Sequence, residues 1–129
     1  MEWWPMDFTY KRVCHKGFDE TVNAVERCVR LHGFVIDRAH DLQATLASKG
    51  FAIQPLRIYE LSTLIQVSGA EGGITSSQCR LHVYVEGDVV YVSAIRSAVL
   101  CEVFESDALS GRAQMVEQRV VELVDAATA

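Results

Sequence analysis

Strict alternation of apolar and polar positions marks the middle of the chain. Leu81, Val83 and Val85 alternate with Arg80, His82, Tyr84 and Glu86; beyond a Glu86-Gly87-Asp88 turn, Val90, Val92 and Ala94 alternate with Val89, Tyr91, Ser93 and Ile95. Period two is the signature of a strand with one buried face. With Gly87-Asp88 as a two-residue turn, glycine supplying the positive φ such turns favour, Glu86 pairs with Val89, Val85 with Val90, Tyr84 with Tyr91, Val83 with Val92 and His82 with Ser93. A slip of one residue would turn the wholly apolar set toward water, so the register is strongly specified. One face of this hairpin is core. The other carries Arg80, His82, Tyr84 and Tyr91, too apolar for free solvent and too polar for an interior.

The remaining pattern predicts the elements around it. Residues 6–14 read as a strand, with Phe8, Tyr10, Arg12 and Cys14 on one side and Thr9, Lys11 and Val13 on the other. A helix starts at Gly17 or Asp19 and ends at Gly33; Phe18, Val22, Val25, Val29 and His32 form its buried stripe, and Asp19 and Glu20 suit the positive end of its dipole. Phe34-Val35-Ile36 is a short strand. Residues 41–50 read as a helix capped by Asp41, 51–60 as a strand bulged or placed on an edge by Pro55, and 61–67 as a short helix. Ser68 to Ser77 is a polar, Gly-rich loop. An apolar segment spans Val99 to Phe104, and a last helix from about Ser110 buries Ala113, Val116, Val120, Leu123 and Ala127. This order predicts an α+β fold, one mainly antiparallel sheet with helices packed on one face.

Length and charge narrow the partners. With 129 residues, a single domain is expected over 1–129, its core at about 7–127 and residues 1–6 an N-terminal extension. The net charge of −5, with no basic block, argues against nucleic acid. No apolar run approaches the roughly 18 residues of a membrane span, and Met1 to Asp7 lacks the order of a signal peptide. A soluble cytoplasmic protein is therefore expected. Its four cysteines, Cys14, Cys28, Cys79 and Cys101, stand singly, as free thiols do in a reducing compartment.

Few residues suggest chemistry. Cys79 opens the hairpin beside Arg80, whose charge would favour a reactive thiolate; the alternation places it on the side of Leu81 and Val83, as a buried inert cysteine. Neither His15, His32, His40 nor His82 has a second His or Cys at ligand spacing. His32 reads as a helix C-terminal residue, His40 as part of a loop or cap next to Asp41, and His82 alone lies on the mixed face. Gly72-Gly73 offers backbone N–H groups for an anion, but without the accompanying residues of a phosphate loop. Asp37, Asp41, Glu60 and Glu71 show no acid–base pairing, and Trp3-Trp4 read as cover for an apolar edge or a dimer seam.

The run from Lys16-Gly17-Phe18-Asp19-Glu20-Thr21-Val22 through Leu31-His32-Gly33-Phe34, Asp41-Leu42, Lys49-Gly50-Phe51 and Ile58-Tyr59-Glu60 to the Cys79 hairpin resembles the family called domain of unknown function 302, over roughly residues 7–100. The resemblance implies a compact α+β fold akin to the TATA-box-binding-protein-like architecture and a homodimer, and it implies no established activity. The chain diverges where many members carry Asn-Pro after the third strand, Leu-Pro-Cys at the hairpin entry and Asp-Pro at its exit: Leu61-Ser62-Thr63, Ser77-Gln78-Cys79 and Arg96-Ser97 stand there, and Cys79 alone is kept. The expected function is a small, non-enzymatic, homodimeric binding domain for a small ligand or protein partner, using Arg80, His82, Tyr84 and Tyr91. This reading needs no cofactor and has neither nucleic acid nor membrane as partner. The alternative is a redox or cofactor protein in which Cys79 or His82 serves as thiol or as haem or metal ligand. An enzyme ranks third, since no nucleophile and base pair by spacing.

Overall fold

The structure, a computed structural model, describes residues 9–67, 73–95 and 107–129. The elements are β1 (Thr9–Cys14), α1 (Phe18–Leu31), β2 (Phe34–Asp41), α2 (Leu42–Ala47), β3 (Leu56–Val67), β4 (Gly73–Glu86), β5 (Val89–Ile95) and α3 (Asp107–Thr128). The strands form one antiparallel sheet in the order β1-β5-β4-β3-β2, and α1 and α3 cover one of its faces.

Burial of alternate side chains drives this layering. Val25 and Val29 of α1 and Val120, Leu123 and Val124 of α3 meet Tyr59, Leu61, Leu81, Val83, Val92 and Ala94 of the sheet, all at most 3% exposed. Each such aliphatic side chain contributes about 1.5–3 kcal/mol relative to an exposed one. Thr21, Val22, Val25, Cys28 and Val29 recur at helical spacing and form the inward stripe of α1; Arg30 in the last turn complements the carbonyl end. The backbone N–H of His32 donates to Cys28 O at 2.9 Å, and its ring Nδ1 lies 2.9 Å from the same carbonyl. Gly33 follows at φ +80°, a conformation costly for any residue with a Cβ.

The β4–β5 register is the one the alternation predicts: Glu86 opposite Val89, Tyr84 opposite Tyr91, His82 opposite Ser93. Gly87 turns the chain at φ +63°.

Four sequence expectations are corrected. Residues 61–67 continue β3 and are not a helix; Leu61, Leu64 and Ile65 fit helical spacing while Leu61, Thr63, Ile65 and Val67 fit alternation, and pairing decided, with Leu56–Val67 laddered against Gly73–Tyr84. Gly73–Ser77 accordingly belongs to β4 rather than to the Gly-rich loop. The third strand begins at Leu56, so Pro55 precedes it, its carbonyl accepting from Val85 N at 3.1 Å. Finally β2 does not stop at Ile36 but runs to Asp41 across a bulge between Ile36 and Arg38. An edge strand paired on one side needs no apolar alternation, so its polar half gave no signal.

Boundaries shift more modestly elsewhere. Asp41 caps α2, its Oδ1 accepting from Ala44 N at 3.0 Å, but the helix ends at Ala47. The last helix starts at Asp107 rather than Ser110. Trp3, Trp4, Phe8, Glu71, Gly72, Arg96, Ser97, Cys101 and the 99–104 segment lie outside the described residues, as do the side chains of Ile95 and Ala113.

Candidate binding face

Opposite the helices, the sheet presents a face on which no described helix packs. Reading across the strands, one row is Val13 (β1), Tyr91 (β5), Tyr84 (β4) and Leu56 (β3). The next is Lys11, Ser93, His82, Ile58 and His40, and a third brings together Arg80, Glu60 and Arg38. The four residues singled out in the sequence, Arg80, His82, Tyr84 and Tyr91, therefore share one surface on β4 and β5, two of the three inner strands. Val13 and Val35 at its margins are 42% and 60% exposed, which shows how open it is at its rim.

Aromatic and charged side chains interlock on this face. The Tyr84 and Tyr91 rings stack with centroids 5.4 Å apart and planes inclined by 25°, an offset geometry that suits their quadrupoles. Lys11 Nζ lies 4.1 Å from the Tyr91 centroid and 5.6 Å from that of Tyr84, and 3.9 Å from Glu86 Oε2. Its pKa is raised, chiefly by the Tyr84 hydroxyl and further by Glu86 and Tyr91. Two side chains that sequence reasoning did not connect meet at Glu60: His40 Nε2 is 2.8 Å from Oε2, and Arg80 Nη2 is 3.5 Å from Oε1. The hydrogen bond from His40, then the charge of Arg80, hold the Glu60 carboxyl below its usual value. The bulge turns Asp37 to the same side, where its Oδ1 accepts from Ser62 Oγ at 3.1 Å. The pairing at Glu60 depended on β2 reaching His40, which places that histidine in a strand and not in a loop or cap.

His82 sits mid-strand in the centre of the sheet and is half-buried. Burial, and secondarily the neighbouring Arg80 charge, lower its pKa.

Cys79 lies on the other side of β4, opposite Leu61 and packed against the core. Burial pushes its thiol up to about 12, the reverse of what a reactive thiolate requires. Its sequence neighbour Arg80 points to the opposite face and does not offset this.

Beyond the face, Tyr59 donates to Glu26 Oε2 at 2.8 Å, and Arg57 bridges Glu26 (3.9 Å) and Asp41 (3.7 Å). This cluster ties α1, β2 and β3 together on the helix side. A cavity of about 250 Å³ is lined by Met115, Gln118, Arg119 and Glu122 of α3, away from the open face. Among the described residues, no group of three or more His, Cys, Asp or Glu is placed to hold a metal ion, and no helix is long and apolar enough to cross a membrane.

The geometry matches a known protein at the level of fold. A solved structure described as an uncharacterized conserved protein DUF302 from Bacillus stearothermophilus superposes with a TM-score of 0.77 at 19% identity, covering 96% of this chain and all of that one. No curated protein matches the chain. The model of the family described as Domain of unknown function DUF302 matches residues 10–64, the span from β1 into β3 that supplies both edge strands of the sheet, most of β3 and the helices α1 and α2. That sequence match, over less than half of the chain, lies inside a fold shared with the DUF302 structure over nearly the whole length.

Proposed function

We propose that this domain is a non-enzymatic binding protein that forms a homodimer by stacking its open sheet face on that of a second copy. The observation that carries the reading is the charge balance of that face around an aromatic centre. Lys11, Arg38 and Arg80 stand against Asp37, Glu60 and Glu86, whereas the whole chain carries −5. Two acidic proteins repel on most orientations; here they can meet on a neutral patch whose charges are of both signs. An isologous contact requires such self-complementarity, and stacked tyrosines flanked by arginine are the composition interfaces favour.

Size is compatible with this occupant. Five strands spaced about 4.8 Å and about seven residues long give a footprint on the order of 500 Å² per copy. The pair then buries about 1,000 Å², the lower bound for a specific interface, so a dimer of modest affinity is expected. A cytoplasmic setting fits the same reading, since Cys14, Cys28 and Cys79 are free thiols. The redox alternative loses support from Cys79, whose burial opposes a thiolate.

Size-exclusion chromatography with light scattering tests the proposal. Wild type should elute at twice its 14.4 kDa chain mass, and Tyr91→Glu, which drives a charge into the seam, should be monomeric and folded. A monomeric wild type at micromolar concentration, or a dimer indifferent to Tyr91→Glu, rejects it. Saturable binding of a small molecule to a monomeric wild type, lost in Tyr91→Glu, would instead assign the face to a ligand.

A further inference from the structure

We infer that the dimer is released by acid through His82, the histidine at the centre of the seam. This rests on the homodimer reading above and adds its regulation. β4 is the middle strand of five, and His82 lies in the row between the tyrosine pair and the Arg80–Glu60 pair, so a two-fold axis through the middle of the patch passes close to it. Residues next to such an axis face their own copies. Protonating His82 then sets two like charges against each other inside a desolvated contact, which costs far more than the same charge on a free surface.

The surroundings offer that proton no compensation. Within its own strand His82 is flanked by Arg80 and Tyr84; across β5 it faces Ser93 and, diagonally, Tyr91. Across β3 it faces Ile58 and, diagonally, Glu60. Beyond these lie Lys11 on β1 and His40 on β2. The single carboxylate in this ring, Glu60, has one oxygen held by His40 and the other facing Arg80. Glu86 is at the far end of β4 against Lys11, and Asp37 is engaged by Ser62. His82 makes no side-chain hydrogen bond or ion pair to a described residue. Its environment already favours the neutral ring in the free chain, and a covering copy strengthens that preference. Proton uptake and dissociation are therefore linked.

Sedimentation velocity on wild type, His82→Gln and His40→Gln at pH 7.5 and pH 5.5, with circular dichroism to confirm folding, decides the matter. The wild-type dissociation constant should rise about tenfold or more between the two pH values, and His40→Gln should behave alike. His82→Gln should dimerise equally at both. His82→Phe, which keeps the ring's bulk without its proton, should do the same and serves if the glutamine variant fails to fold. A wild-type dimer unchanged at pH 5.5, or pH dependence retained in the His82 variants, overturns the inference and leaves the dimer standing. A monomer at pH 7.5 overturns both.

Discussion

His40 and Glu60 face each other diagonally across the β2–β3 ladder, with Nε2 2.8 Å from Oε2. This contact ties the polar end of an edge strand to the sheet, where no core side chain does so: from Asp37 to Asp41 every residue of β2 is exposed. The Glu60 carboxyl is held below its ordinary 4.5 by that hydrogen bond first and by Arg80 next. A depressed carboxyl stabilises the fold above its unfolded pKa and ceases to do so as pH falls through the folded value. Between neutral pH and about pH 4.5 the contribution is therefore intact, and below it fades. Glu60→Gln should lower the urea midpoint at neutral pH and bring the wild-type and variant curves together in acid. Parallel curves from pH 7 down to pH 3 would show that the pairing carries no such stability.

The tyrosine pair should be measurable apart from any role in assembly. Stacked rings of this kind contribute about 0.5–1.5 kcal/mol beyond their buried area. A double-mutant cycle with Tyr84→Ala and Tyr91→Ala, in the dissociating acid conditions described above, should yield a coupling in that range. Lys11→Met should reduce the coupling only slightly, because the ammonium sits over the rings at an exposed site. Additive single effects would mean that the stacking is incidental.

The hairpin was the most legible part of the fold because its inner face is wholly apolar while its outer face is mostly polar or aromatic, leaving a single register. Phe18, Val22, Val25 and Val29 made α1 equally plain. The second half of β3 was not legible: Leu61 to Val67 is apolar enough to satisfy either period, and only its long-range partner, Gly73 to Cys79, resolves it. That partner read as a loop because glycine and serine dominate it. The same non-locality hid the Glu60 cluster. Residues 38, 40, 60 and 80 are joined by strand pairing, and no spacing along the chain brings them together. By contrast Arg80, His82, Tyr84 and Tyr91 were found because two strands adjacent in sequence and the tight turn between them fix their relation locally.

Tyr59 provides a test of the helix side. It is fully buried, and its hydroxyl donates to Glu26 of α1. Burial first, and the Glu26 hydrogen bond next, push its pKa up to about 12. The protonated phenol is the stabilised form, so this contribution is complete below pH 10 and is lost as pH rises toward 12. Tyr59→Phe should cost about 1 kcal/mol at neutral pH through the lost hydrogen bond, and it should blunt the alkaline unfolding limb above pH 10. An unaltered alkaline limb would assign that transition to other groups.

Leu81 should be among the most sensitive positions in the chain. It is fully buried on the central strand, between Tyr59 of β3 and Ala94 of β5, where neighbours on both sides prevent collapse into a cavity. Leu81→Ala should destabilise by about 2–5 kcal/mol, whereas Val35→Ala, at a residue 60% exposed on the edge, should fall within about 0.5 kcal/mol of wild type. Chemical denaturation of both variants checks the ordering.

Cys79 should behave as a core residue despite its charged neighbour. A thiol at about 12 has a thiolate fraction on the order of one in ten thousand at pH 8, against roughly a tenth for an unperturbed thiol at 9.0. Since the thiolate is the nucleophile, alkylation should be slowed on the order of a thousandfold, and further by steric cover. Peptide mapping after a brief iodoacetamide pulse should find Cys79 unmodified in the native protein and modified in urea. Raising the pH from 8 to 9 should increase the native rate about tenfold, the dependence of a group still far below its pKa. Rapid native labelling with a plateau by pH 8 would mean that the thiol is exposed and poised, and would revive a redox role for the residue at the entry to the hairpin.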